Sequence, residues 1–455
     1  MIRNKRLIYI LGILLTFFST VAINSFVLAQ DNNSDFYTNN SNHLKLSSSE
    51  EWIRTWGLNG SDHGYALAVD SNGDIYLGGE IDIDGSSNAS LVKYNSLGEY
   101  QWDRTWGGAA SDYINAIYID SLDNVYIIGK ARSFGISDDV FIVKYDVIGN
   151  LIWNRTWGDP TENDYGSDLF VDDQGNIFVA GFTSGFGVDG QDFLLVKFNS
   201  TGDFQWFETW GGLSDDRAKS IEYDSEGNIF LMGETGSFGM GNSEVGLVCY
   251  NSLGVLQWNT TWGSTTLDRP QDMVVDSSNS IYISGFTYHP DVGTGDNHFF
   301  IVKLDNSGIP VWSKIWGTPY MDLGVGLALD SSDNIFFLGS TEGYEAGIQD
   351  IYLTKFNSEG DREWETVWDS GDYDFAHDII IDQSTNDIYI AGESRGFTIE
   401  KDLQMILIKN PVISNNNQDT NNNNGIPGYN ILIIILFTSF SILLLIYYLN
   451  KKRIK

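Results

Sequence analysis

All 14 tryptophans of this chain fall into seven pairs, each pair four residues apart. They are Trp52/Trp56, Trp102/Trp106, Trp153/Trp157, Trp206/Trp210, Trp258/Trp262, Trp312/Trp316 and Trp364/Trp368, and they recur every 50 to 54 residues. A unit of that length cannot bury a core alone and has to stack on copies of itself. Positions i and i+4 of a strand lie on one side of a sheet. Trp56, Trp106, Trp157, Trp210, Trp262, Trp316 and Trp368, with their partners, are therefore read as structural, filling the gap between neighbouring sheets.

Other residues keep the same period. An aspartate follows the second tryptophan: Asp62, Asp112, Asp164, Asp216, Asp268, Asp322 and Asp374. Then come a turn aspartate (Asp70 in the first copy), an aliphatic–aromatic pair (Ile75-Tyr76), a glycine (Gly79) and an apolar run closed by a lysine (Lys93). Each period reads as four short strands joined by Gly-containing turns, in the first copy Ala66–Asp70, Asp74–Glu80, Ala89–Asn95 and Glu99–Gly107. Four antiparallel strands in about 50 residues is the pattern of a propeller blade. The first tryptophan pair has no earlier three strands, and the last copy has no fourth. The expected fold is an all-β, seven-bladed β-propeller over residues 50–411, with the N-terminal strand completing the last blade and closing the ring.

The words W-x-x-T-W-G-G-x-x-x-D, V-D-x-x-G-N-I-Y and G-x-T-x-S-F-G resemble the SBBP-type β-propeller repeat of secreted and surface proteins. The resemblance spans about residues 50 to 411. It implies the fold and no single activity.

The two ends point to a membrane. MIRNKR followed by an apolar run and Val27-x-Ala29 reads as a signal peptide over 1–29. Residues 30–49 read as a disordered N-terminal segment. An Asn-rich linker over 412–428 precedes 21 residues without charge, 429–449, the length of a transmembrane helix. The basic tail 450–455 places the C-terminus in the cytoplasm and the body outside the cell. Pro427-Gly428-Tyr429 before the span resembles archaeal PGF-type sorting and anchor segments, which implies a tail exchanged for a lipid.

Seven of the 26 basic residues lie at the extreme termini, leaving 19 against 60 acids between residues 30 and 411. So acidic a body repels nucleic acid and is not expected to bind it. The one cysteine, Cys249, stands where all six other copies have their closing lysine and carries no thiol chemistry.

The candidate sites follow from the repeat. The seven aspartates after the tryptophans either cap the turn into each inner strand or form an acidic, cation-binding mouth. Among the small residues of the inner strands, Asp168, Asp272 and Asp378 stand out as candidate channel-lining residues. Turn words such as DSNGD read as Asx hairpins rather than calcium loops, since the bidentate glutamate is missing. No cofactor is called for; calcium is the ion such acids would invite, and a metal site stays unassigned. His63 and His377, beside aspartates, read as local variation. No catalytic motif appears.

The second-to-third-strand loops vary most: GEIDIDGSSNAS, FTYHPDVGTGDNHF and ESRGFTIEKDLQ. Variable loops on a rigid ring suit recognition. The expected protein is a membrane-tethered, extracellular binding or adhesion module at the cell surface, its partner a surface protein or glycan. Alternatives are a structural coat component and a surface enzyme acting on polysaccharide.

Overall fold

The computed structural model describes residues 52–409, apart from 59–60, 84, 242, 289–296, 344–348 and 397–403. These residues form twenty-eight strands in seven four-stranded antiparallel sheets. Blades 1 to 6 each follow chain order, blade 1 being His63–Val69, Ile75–Ile83, Ser86–Tyr94 and Tyr100–Trp106. The inner strands of blades 2 to 7 are Asp112–Ile119, Asp164–Val171, Asp216–Tyr223, Asp268–Val275, Asp322–Leu329 and Asp374–Ile381. Blade 7 takes its outer strand from the other end of the chain. Trp52–Trp56 pairs antiparallel with Gln404–Lys409, Trp52 opposite Lys409 and Trp56 opposite Met405. The seven-bladed ring closes as the sequence predicts. The signal segment, the Asn-rich linker and the apolar run 429–449 lie outside the described residues. Among the described residues no helix is long and apolar enough to cross a membrane.

The second and third strands of each blade are buried on both faces, as in Val125–Ala131 and Asp139–Tyr145. That is why they read as apolar runs rather than as alternations. The outer strands alternate toward solvent, with their tryptophans half-buried. Blade faces then pack on one another. At the seam Leu67, Ile75 and Leu77 of blade 1 meet Tyr389, Met405 and Leu407 of blade 7, with Trp52 and Trp56 against them. The first tryptophan of a pair lies under the outer turn of the next blade: a Cβ on Gly149 would fall 3.0 Å from the Trp102 ring, and its φ is +78°. Arg104 Nε donates to the Gly149 carbonyl at 2.6 Å, and Arg155 Nε to that of Gly202 at 3.0 Å. The second tryptophan is covered by the SFG-type loops, Trp106 by Phe134 and Trp210 by Phe238, each with centroids 4.7 Å apart.

Two differences from the expected strands have local causes. Inner strands start about three residues earlier, because a bulge at Tyr65, Asn115, Ser167, Lys219, Gln271, Val325 and His377 lets pairing continue past it. The stretch GEIDIDGSSNAS is not a loop; its hairpin stays paired as far as Ile83 opposite Ser86.

The inner turns are Asx hairpins. Asp70 Oδ1 accepts the Asn72 and Asp74 N–H groups, both at 3.0 Å. The turn's left-handed position is held by Gly73, Asp123, Gly175, Gly227, Asn279, Asp333 and Asn386, the residue types that tolerate it. The closing lysine reaches back to this carboxylate, Lys93 Nζ lying 3.0 Å from Asp70 and 4.8 Å over the Tyr76 ring. Backbone amides and lysine thus engage the acids that resembled a calcium loop.

Candidate functional site at the axial mouth

The seven aspartates after the tryptophans sit where one blade crosses to the next, and all are at most 1% exposed. Each accepts a backbone N–H from the crossing itself: Leu58, Gly108, Asp159, Gly212, Ser264, Thr318 and Ser370 donate at 2.6–2.9 Å to Asp62, Asp112, Asp164, Asp216, Asp268, Asp322 and Asp374. The second oxygen is often engaged as well, by Thr235 on Asp216 at 2.5 Å and Thr341 on Asp322 at 2.6 Å. Their geometry is that of turn caps, and they lie beneath the surface rather than on an open acidic rim. Burial raises Asp62, Asp164, Asp322 and Asp374 to about 6, against the lowering effect of these bonds.

Asp168, Asp272 and Asp378 stand where the inner strands converge, and each brackets two blades. Asp168 accepts the N–H of Leu169 in its own strand at 2.8 Å and of Ile221 in the next at 3.0 Å. Asp272 takes Met273 and Leu327, both at 2.7 Å. Asp378 takes Ile379 at 2.7 Å and Leu67, across the seam, at 2.6 Å. Six of the seven equivalent amides are thus held by three carboxylates. The seventh, Ile117, has alanine at both relevant positions, Ala66 and Ala116. The three acids retain some accessible surface, yet protein surrounds them, and desolvation raises them to about 6, 8 and 7 respectively. Glu222, not singled out in the sequence, joins them: burial, then the charges of Asp168 and Asp272, push it well above the carboxylate range.

Around the inner-strand bulges the ring carries a different chemistry. His63 and His377, from the first and last repeats, meet on one carboxylate: His63 Nδ1 contacts Glu393 Oε2, and His377 Nε2 lies 3.5 Å from it. Burial pushes Glu393 up, but the two imidazoles outweigh it and bring it to about 2. The bond to Glu393 raises His63, against desolvation. Tyr65 lies edge-on to His377 at 5.1 Å, stacks on His63 at 5.8 Å, and donates to Glu80 at 3.0 Å.

From Tyr65 the aromatic line runs to Tyr113 at 6.1 Å. Lys130 Nζ lies 5.3 Å from the Tyr113 ring and 5.6 Å from that of Tyr165. Tyr165 stacks on Phe182 at 4.5 Å. Asp138 gathers the polar ends: Tyr165 Oη at 2.7 Å, Lys130 Nζ at 3.2 Å and Arg132 at 3.2 Å. Arg217 follows, its guanidinium 5.9 Å from Phe182, and Lys219 Nζ lies 2.8 Å from Glu234. Blade 6 alone is apolar at both equivalent places, with Leu323 and Val325, while blade 5 carries Arg269 and Gln271.

This arc over blades 7 and 1 to 4 is where aromatic and ionisable side chains come together around the inner-strand bulges. It escaped the sequence reading because the two histidines meet only once the ring closes. The available signal was a column of the repeat: two and three positions before the small inward residue stand His63/Gly64, Tyr113/Ile114, Tyr165/Gly166 and Arg217/Ala218, where the first member varies in chemistry while the second stays small or apolar.

No family model matches the chain. It is 29% identical over 112 residues to Regulatory protein FlaEY of Caulobacter vibrioides, covering 22% of this chain and 12% of that protein. It is 24% identical over 278 residues to an uncharacterized WD repeat-containing protein of Acanthamoeba polyphaga mimivirus, covering 48% of this chain and 18% of that one. The chain thus spans under a fifth of either curated relative. Among solved structures it is similar to an ulvan lyase, a polysaccharide lyase bound to -[GlcA(1-4)Rha3S]-, with a TM-score of 0.51 and 13% identity over 77% of this chain and 94% of that one. That likeness is one of fold.

Proposed function

We propose that this propeller is a glycan-binding module of the cell surface, with the axial mouth as its saccharide site. The observation that carries the reading is the continuous arc Tyr65–Tyr113–Lys130–Tyr165–Phe182, in which flat rings alternate with hydrogen-bonding ends. Sugar rings stack on such faces and exchange hydroxyl bonds with paired ions at the rim. In a chain with net charge −35, Lys130, Arg132, Arg217, Lys219 and Arg269 stand apart from the basic residues that brace the blades, and they give a uronate or sulfate a local partner. In this reading the body is exported and tethered through the uncharged run 429–449 or a PGF-like tail exchanged for a lipid.

A second reading, a surface enzyme acting on polysaccharide, is favoured by the His63–Glu393–His377 contact and by the lyase fold neighbour. The protonation states weigh against it. Burial moves the Tyr65 and Tyr113 hydroxyls up, the latter to about 12, so neither is a base near neutrality. A glycan array probed with the full-length chain, alongside incubation with uronate polysaccharides read by the ultraviolet absorbance of unsaturated product, separates the two. Binding that is lost in Tyr113→Ala and Lys130→Met, with no absorbance change, is expected. Absorbance growth with wild type would install the enzyme reading instead.

A further inference from the structure

One position at or near the start of each third strand serves a place distinct from the mouth. In blades 1 to 6 it is Asn88, Asp139, Asp192, Glu244, His298 and Asp350. From blade to blade it stands against the crossover aspartate that follows. A Cβ on Gly158 would fall 2.7 Å from both Asp139 Oδ1 and Asp164 Oδ2; one on Gly211 would fall 1.8 Å from Asp192 Oδ1 and 2.9 Å from Asp216 Oδ2. The glycine after the second tryptophan is therefore required because two carboxylates occupy the space a side chain would take.

Between blades 3 and 4 the pair is almost wholly enclosed, Asp192 being 1% exposed and Asp216 0%. Asp216 has donors on both oxygens, Gly212 N–H at 2.9 Å and the Thr235 hydroxyl at 2.5 Å. Asp192 Oδ2 takes the Val188 N–H at 2.5 Å. Asp192 Oδ1, however, is buried and accepts no hydrogen bond among the described residues. An ionised oxygen held out of water beside a second carboxylate demands a counter-charge.

Two sister junctions carry variations on that demand. Blade 5 puts a basic ring at the same position, His298 Nδ1 lying 3.8 Å from Asp322 Oδ2. At the crossing from blade 6 the glycine is replaced by Asp369, and oxygens of Asp350, Asp369 and Asp374 lie within 4.8 Å of one another.

We propose that the junction of blades 3 and 4 binds a hard divalent cation, calcium in kind, between Asp192 and Asp216, with Asp192 Oδ1 as a ligand. Oxygen-only donors and an irregular cradle suit calcium better than magnesium, which insists on a strict octahedron. The ion ties the third strand of one blade to the inner strand of the next.

The test uses the full-length chain stripped with EDTA, titrated with calcium chloride or magnesium chloride at neutral pH by calorimetry, and followed by thermal unfolding. Calcium uptake with a raised midpoint is expected. Asp192→Asn should lose one bound equivalent. Asp192→His, which copies blade 5, should lose the same equivalent while keeping a calcium-free midpoint at or above that of wild type, so that a loss through misfolding is distinguished. No uptake by wild type overturns the proposal, as does an unchanged stoichiometry in both variants. A midpoint that responds to pH but not to calcium also overturns it, since the pair then shares a proton only.

Discussion

Asp322 shows what a repeated acid does at this scale. One oxygen holds the Thr318 N–H at 2.6 Å and the other the Thr341 hydroxyl at 2.6 Å, with no solvent exposure. Asp322→Ala strands both donors in the interior, and a loss of about 2–3 kcal/mol is expected; urea unfolding curves compared with wild type measure it, and an unshifted midpoint would deny the cap its role. Cys249 makes a complementary case. It is 1% exposed and burial pushes its thiol up to about 12. Ellman's reagent should label none of the native protein and one equivalent after denaturation, because thiolate and access are both withheld. The recurrence of these residues made their structural duty legible in the sequence. Glu222 was not legible, because its burial and the charges of Asp168 and Asp272 on other blades arise only when the ring assembles, and no spacing along one strand encodes that.

At the scale of strands, closure depends on five residues. Trp52–Trp56 covers Met405, Ile406, Leu407 and Ile408, all fully buried. Trp56→Ala removes a large ring from that seam, with an expected cost of about 3–5 kcal/mol. Deleting residues 50–57 outright leaves a bare apolar edge that invites association between copies; light scattering at rising concentration reports it, and a monomer of undiminished thermal midpoint would contradict the closure. Strand order was readable because a fourth-type strand came first and none came last. Strand limits were less so, since the bulges at Tyr65 and its six equivalents extend pairing beyond the apolar run. The mouth was unreadable at this level: Tyr65, Tyr113 and Tyr165 are ordinary strand tyrosines until the ring sets them side by side.

For the whole molecule, buried acids set the response to pH. Asp62, Asp164, Asp168, Asp322 and Asp374 are raised to about 6, Asp378 to about 7 and Asp272 to about 8. A raised carboxyl binds its proton more tightly in the folded state. Its contribution is therefore full below the ordinary carboxylate range and is lost as pH rises through the raised value. Glu393, lowered to about 2, acts oppositely, its share being lost as pH falls. With EDTA present, stability should fall steadily as pH rises from about 4 to 8. Urea midpoints across that range test the sign, and Asp272→Asn should flatten the upper part of the slope.

The three bracket aspartates carry a consequence in arithmetic. Acceptors that each take two donors cannot exhaust an odd number, so a seven-membered wheel served in this way keeps one spoke outside the scheme. That spoke belongs to blade 2, around Ile117, and it gives an otherwise rotationally repetitive body a fixed compass point. A carboxylate engineered at Ala116 would find only one donor still to claim.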